Sequence, residues 1–194
     1  MNRGQPWFSA GLAAAAVIAW LLPGQGAALG WEPGATPWRL LTSQLAHWDG
    51  NHLGWDALAL LILGAWAECG WPASARVAIL IALVAVPPII VLAHPGLAFR
   101  GLSGVACALA TVAMIRTWRD SLREDDLLAA AIAASLLLGL LAKIAFETLA
   151  GRAVFATAAL WQPLPLAHAL GMGAGLLASV RLPKLFPCPP VSTC

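Results

Sequence analysis

The sequence predicts an all-α fold, a polytopic membrane bundle of six transmembrane helices, and three observations carry that expectation. Over 194 residues the chain is 60% hydrophobic and only 10% charged, with a mean hydropathy of +0.80; a water-soluble domain of this size needs far more polar surface. Six runs are apolar over roughly 20 residues, the length that crosses ~30 Å of hydrocarbon. Finally, there are ten tryptophans and no tyrosine, and Trp7, Trp31, Trp38, Trp48, Trp55, Trp71, Trp118 and Trp161 all fall near the ends of those runs, where indole rings anchor at the membrane interface. The length suits a single membrane domain over residues 1–186 with a short Pro-rich tail over 187–194. A net charge of +2 with no basic stripe gives no footing for nucleic-acid binding.

In chain order, the first span covers about 7–29. Arg3 before it and small residues at 26–29 resemble a signal peptide, but the run is long for the apolar region of one. Residues 30–50, GWEPGATPWRLLTSQLAHWDG, mix tryptophan with polar groups and predict a structured interfacial loop. Further spans follow at about 51–69, 75–94, 102–118, 127–149 and 164–181. The strongly charged stretch 117–126, TWRDSLREDD, reads as a solvated loop. Cys69, Cys107, Cys188 and Cys194 form no CxxC pair, so neither a disulfide framework nor a zinc site is expected. With the N-terminus inside, the cytoplasmic side holds seven basic residues (Arg3, Arg76, Arg116, Arg119, Arg123, Arg181, Lys184) against three outside (Arg39, Arg100, Arg152). Lys and Arg favour the cytoplasmic side, which puts both termini there.

That topology brings three polar residues to one level. His52 opens span 2, Ser103 opens span 4 and His168 opens span 6, and even-numbered spans all run from outside to inside. Polar groups at membrane depth are costly and face the bundle interior. Gly104 and Ala108 on span 4, and Gly171 and Gly175 on span 6, are small-xxx-small pairs that let helices approach closely. His168 shares a helical face with Gly171, so docking those faces brings Ser103 Oγ and the His168 imidazole within hydrogen-bond reach. A serine hydroxyl with a base beside it is the nucleophile that acyl transfer needs. The free N–H groups at the start of span 4 supply donors for an oxyanion, with His52 as another. Gly101 and Gly104 leave room for a substrate backbone.

Together these residues resemble the rhomboid family of intramembrane serine proteases, over about residues 31–181. The pieces are Trp38–Arg39, His47 and His52 in HWDGNH, Gly64 and Glu68 in LGAWAE, Gly101–Leu102–Ser103–Gly104 as GxSG, and Ala167–His168 with Gly171 and Gly175 as AHxxGxxxG. The resemblance implies a catalytic dyad of Ser103 and His168 without a triad carboxylate, His52 in the oxyanion hole, and no cofactor or metal. It further implies a lateral gate near span 5, a transmembrane or membrane-anchored protein substrate within the lipid bilayer, and a place in a bacterial inner membrane with the site toward the extracytoplasmic side. The short chain is similar to rhombosortases, a branch thought to process C-terminal sorting tails. Two positions depart from the pattern. Asp56 stands where many rhomboids have asparagine, and its role is open between a neutral donor to the oxyanion, a residue orienting His52, and a partner of Arg39. Cys107 stands where an aromatic often packs on the catalytic histidine.

Other polar residues are read as structural: His47 holding the first loop, His94 capping span 3, and Glu68 hydrogen-bonding near the cytoplasmic end. Lys143 and Glu147, an i,i+4 pair, are read as neutralising each other in span 5. Two competing functions are a metal- or proton-handling protein using His47, His52, Asp56 and His168, and a rhomboid-like pseudoprotease that binds transmembrane helices without cutting them.

Overall fold

The computed structural model describes residues 5–154 and 164–180. Within them the regular elements are helices, apart from one antiparallel bridge between Trp31 and Phe99. Helix α1 (Trp7–Leu21) lies against α3 (Gly50–Gly70). Its opening N–H groups lack helical partners, and the fully buried Glu68 of α3 supplies them: Phe8 donates to Oε2 at 3.2 Å and Ser9 to Oε1 at 2.7 Å. A carboxylate there also faces the positive end of the helix dipole. Gly64, one turn before Glu68, abuts the Ser9 side chain where a Cβ would overlap it.

The first run does not continue as one helix to residue 29. Leu22 is extended before Pro23, as a residue preceding proline prefers. A 3₁₀ turn over Pro23–Leu29 follows, in which Gly24, Gln25 and Gly26 take φ of 67°, 55° and 68°, and the axis bends by 119°.

The first loop is structured. It carries a short helix α2 (Arg39–Thr42) and a 3₁₀ turn (Ser43–Leu45). Trp31 and Phe99 exchange backbone bonds of 3.0 and 3.1 Å, and the Ser43 carbonyl accepts from Gly101 N–H at 3.2 Å. Helix α4 (Pro72–Ala93) contains Pro87, which has no N–H to give the Leu83 carbonyl four residues back. The buried Gln44 supplies that donor instead, Nε2 to Leu83 O at 2.9 Å. A proline within an apolar helix is thereby tolerated, because a neighbour satisfies the freed carbonyl. His94 follows as the C-cap of α4.

Helix α5 (Ser103–Arg123) is buried at every residue from Gly104 to Ile115 and packs against α3, α4, α6 (Leu127–Ala150) and α7 (Pro165–Ser179). All-round burial marks it as the central post of the bundle. It runs five residues beyond the expected end at 118, so most of the charged stretch is helical and not loop. The charges there have partners that support the extra turns: Asp120 accepts from Trp71 Nε1 and Arg123 at 2.9 Å each, and Arg119 donates to Ser179 O at 2.9 Å. Asp126 then caps α6, accepting from Ala129 N–H at 3.0 Å, and Gly151 ends it with φ 63°.

By length and apolarity, three of the described helices suit a membrane crossing, α3, α4 and α6, with α1 and its bent turn as a fourth. Helices α5 and α7, expected as spans four and six, fall outside that test. The first carries Arg116, Arg119, Asp120 and Arg123 at its end, and the second has only 15 residues.

Candidate active site

The turn entering α5 is built on contacts from α3. Gly101 has φ 114°, and a Cβ on it would meet the His52 ring at 2.7 Å and Asp56 Oδ2 at 3.1 Å, so only glycine fits. Leu102 N–H donates to Asp56 Oδ2 at 2.7 Å, and the same oxygen lies 3.1 Å from His47 Nε2 and 3.5 Å from His52 Nε2. His47 Nδ1 sits 3.2 Å from Leu45 O, and Asp49 caps α3 by accepting from His52 N–H at 2.7 Å. Buried Asp56 is thus a hub joining the first loop, α3 and the serine turn. Of its three open roles, the ion pair with Arg39 is absent: that guanidinium lies over Trp38, itself half exposed, 5.6 Å from the ring centroid. Facing a backbone N–H and two imidazoles, Oδ2 acts as an acceptor.

A second cluster forms around His168 on α7. Its Nδ1 lies 2.7 Å from Glu147 Oε2 on α6. Lys143 Nζ lies 2.8 Å from both Glu147 oxygens and 3.3 Å from His168 Nδ1, and Val154 N–H donates to Glu147 Oε1 at 3.2 Å. This corrects two expectations: a carboxylate does engage the histidine, and Lys143 and Glu147 do more than neutralise each other. The sequence held the signal, since an ionisable pair in an apolar span points to a site by default.

Helices α5 and α7 meet backbone to backbone. A Cβ on Gly171 would overlap the Gly104 carbonyl, and one on Gly175 the Ala108 carbonyl. Gly104 in turn faces Ala167 O, 3.2 Å from where its Cβ would be. The room expected at Gly101 and Gly104 for a substrate backbone is therefore filled, by His52 and Asp56 at one and by α7 at the other.

Both clusters open onto one cavity of about 850 Å³, whose polar lining includes His52, Asp56, Ser103, Lys143, Glu147 and His168 along with Arg100 and Ser135. Its apolar walls come from α3, α5 and α6, with Ile62, Cys107 and Leu136 among them. Ser103 is partly exposed, at the first turn of α5. Among the described residues no hydrogen bond joins Ser103 Oγ to His168; such bonds often tighten only when substrate is bound. The ligating atoms of His47, His52 and Asp56 lie within 4.8 Å of one another, close enough for a metal ion, but both rings point Nε2 at one Asp56 oxygen that already accepts from Leu102. His168, the fourth residue of the metal-handling alternative, belongs to the other cluster. Cys69 and Cys107 are free thiols, while Cys188 and Cys194 lie outside the described residues.

A buried serine turn, a histidine on the neighbouring helix and a cavity walled by long apolar helices define an integral membrane protein with a polar site inside its bundle. The model of the Rhomboid domain matches residues 34–184, and the chain belongs to the rhomboid family, whose members are generally intramembrane serine proteases. Among curated proteins no match is found.

Proposed function

We propose that this chain is an intramembrane serine endopeptidase with Ser103 as nucleophile and His168 as base. The observation that carries the reading is the shared cavity: Ser103 at the N-terminus of α5 and His168 on α7, two helices held in contact through Gly104 and Gly171. In the proposed reaction His168 Nε2 takes the Ser103 hydroxyl proton as Oγ attacks the scissile carbonyl. The free N–H groups at the start of α5, with His52, stabilise the oxyanion. The imidazolium returns the proton to the leaving amine, and water hydrolyses the acyl-enzyme by the same route. The substrate class is a transmembrane or membrane-anchored protein entering between α3 and α6, with C-terminal sorting tails as the narrower case. Six crossings, both termini cytoplasmic and the site toward the extracytoplasmic face of a bacterial inner membrane complete the reading.

The test is labelling of detergent-solubilised protein by fluorophosphonate and isocoumarin probes. Wild type is expected to label, and Ser103→Ala and His168→Ala to lose the label. Folded wild type refusing several such probes overturns the protease reading. It would favour the pseudoprotease.

A further inference from the structure

The carboxylate on the base has no part in the dyad described above. We infer that Glu147, gripped by Lys143, is a positioning residue that fixes His168 in its Nδ1–H tautomer and thereby leaves Nε2 as the base; the inference rests on the protease reading for its consequence, not for its geometry.

His168 Nδ1 has two neighbours with opposite demands. A carboxylate oxygen at 2.7 Å accepts only, so it needs a proton on Nδ1; an ammonium at 3.3 Å donates only, so it needs a lone pair there. Distance decides between them. The shorter contact is of charge-assisted length. Two of the three Lys143 N–H groups go to the Glu147 oxygens at 2.8 Å, which leaves only the longer contact for Nδ1. Nδ1 therefore carries the proton, and a neutral imidazole then bears its lone pair on Nε2. Glu147 is itself held on every side: Lys143 on both oxygens, His168 on Oε2 and Val154 N–H on Oε1. It is 2% exposed, so it has little freedom to swing away.

Lys143 also sets what Glu147 contributes. An unneutralised carboxylate behind a catalytic histidine stabilises the imidazolium as well as choosing the tautomer. Here the ammonium beside it cancels most of that charge, so the main effect is orientation and tautomer. The loss on removing the carboxylate is expected to be about 10²-fold or more, toward the ~10⁴-fold seen where such a histidine is left in the wrong tautomer.

The experiment combines two readouts on the full chain in detergent micelles. The first is ¹⁵N NMR of histidine-labelled protein, with the His168 signals assigned by loss in His168→Ala. The second is the rate at which a fluorophosphonate labels Ser103. Wild type should show Nδ1–H and an unprotonated Nε2. Glu147→Gln should shift His168 toward Nε2–H, because a side-chain amide can donate to Nδ1, and should slow labelling by at least about 10²-fold. Glu147→Asp should recover part of both. Because Glu147→Gln strands a cation, the double variant Lys143→Met/Glu147→Gln provides the same comparison if the single variant does not fold. A wild-type His168 found as Nε2–H, a His168 spectrum indifferent to Glu147→Gln, or labelling within about threefold of wild type overturns the inference. If wild type takes no probe, the protease reading fails by itself, and the tautomer readout still decides whether Glu147 governs His168.

Discussion

At the scale of single residues, two buried carboxylates organise the site in different ways. Glu147 holds a lysine, a histidine and the Val154 N–H at the far side of the cavity, whereas Asp56 presents Oδ2 to the backbone of the serine turn as well as to two rings. Asp56→Ala removes the acceptor for a buried Leu102 N–H, which costs about 1–3 kcal/mol. Asp56→Asn keeps a carbonyl oxygen that can take the same position. Thermal unfolding in detergent should therefore rank wild type, then Asn, then Ala, with Ser103 labelling falling furthest in Ala. Equal stability of the Asn and Ala variants would remove the Leu102 bond from the explanation. His52 was legible as a candidate from its place at the opening of span 2, and Asp56 from the position it takes in the family pattern, with its role open. That Asp56 reaches the backbone 46 residues away was not, because a hydrogen bond across elements leaves no local pattern.

At the scale of elements, the decisive contact is α5 on α7. Gly171 and Gly173 lie two apart on the same helix, yet a Cβ on Gly171 would overlap the Gly104 carbonyl while one on Gly173 meets nothing within 4 Å. Gly171→Ala should destabilise by about 1–3 kcal/mol through overpacking. Gly173→Ala should be neutral or stabilising by up to about 1 kcal/mol, from helix propensity. Melting curves of the two variants side by side check this, and similar melting temperatures would mean that the helices do not meet through Gly171. The small-residue spacing made this contact legible in advance. The proline in α4 is the opposite case: Pro87 was visible, but the Gln44 that answers its missing N–H comes from a loop 39 residues before the carbonyl it serves.

At the scale of the whole molecule, α5 is enclosed by its neighbours while α6 buries only Ala130, Ala133 and Glu147 along its length. The cavity runs between α3 and α6, so the lightly held wall is α6. On the proposed protease reading a transmembrane substrate would pass there, whereas a small probe needs no parting of the helices to reach the partly exposed Ser103. Tethering cysteines introduced at Ile62 and Leu136, with the native cysteines replaced, should cut cleavage of any transmembrane substrate of the wild type by about tenfold or more, as locking a gate does. Fluorophosphonate labelling should persist in the tethered protein. Cleavage undiminished by the tether would place substrate entry elsewhere.

Composition and the placement of small and polar residues determined by themselves that the chain is helical, lives in a membrane and carries Ser103, His52 and His168 as candidates, because burial in lipid makes every polar residue in an apolar run conspicuous. The ends of α1 and α5 needed the tertiary structure, since a proline bend and a partnered charged turn depend on what packs beside them. So did the grouping of the polar residues. The i,i+4 spacing paired Lys143 with Glu147, but only the packing of α6 beside α7 put that carboxylate on His168, since side chains 21 positions apart meet only where two helices cross.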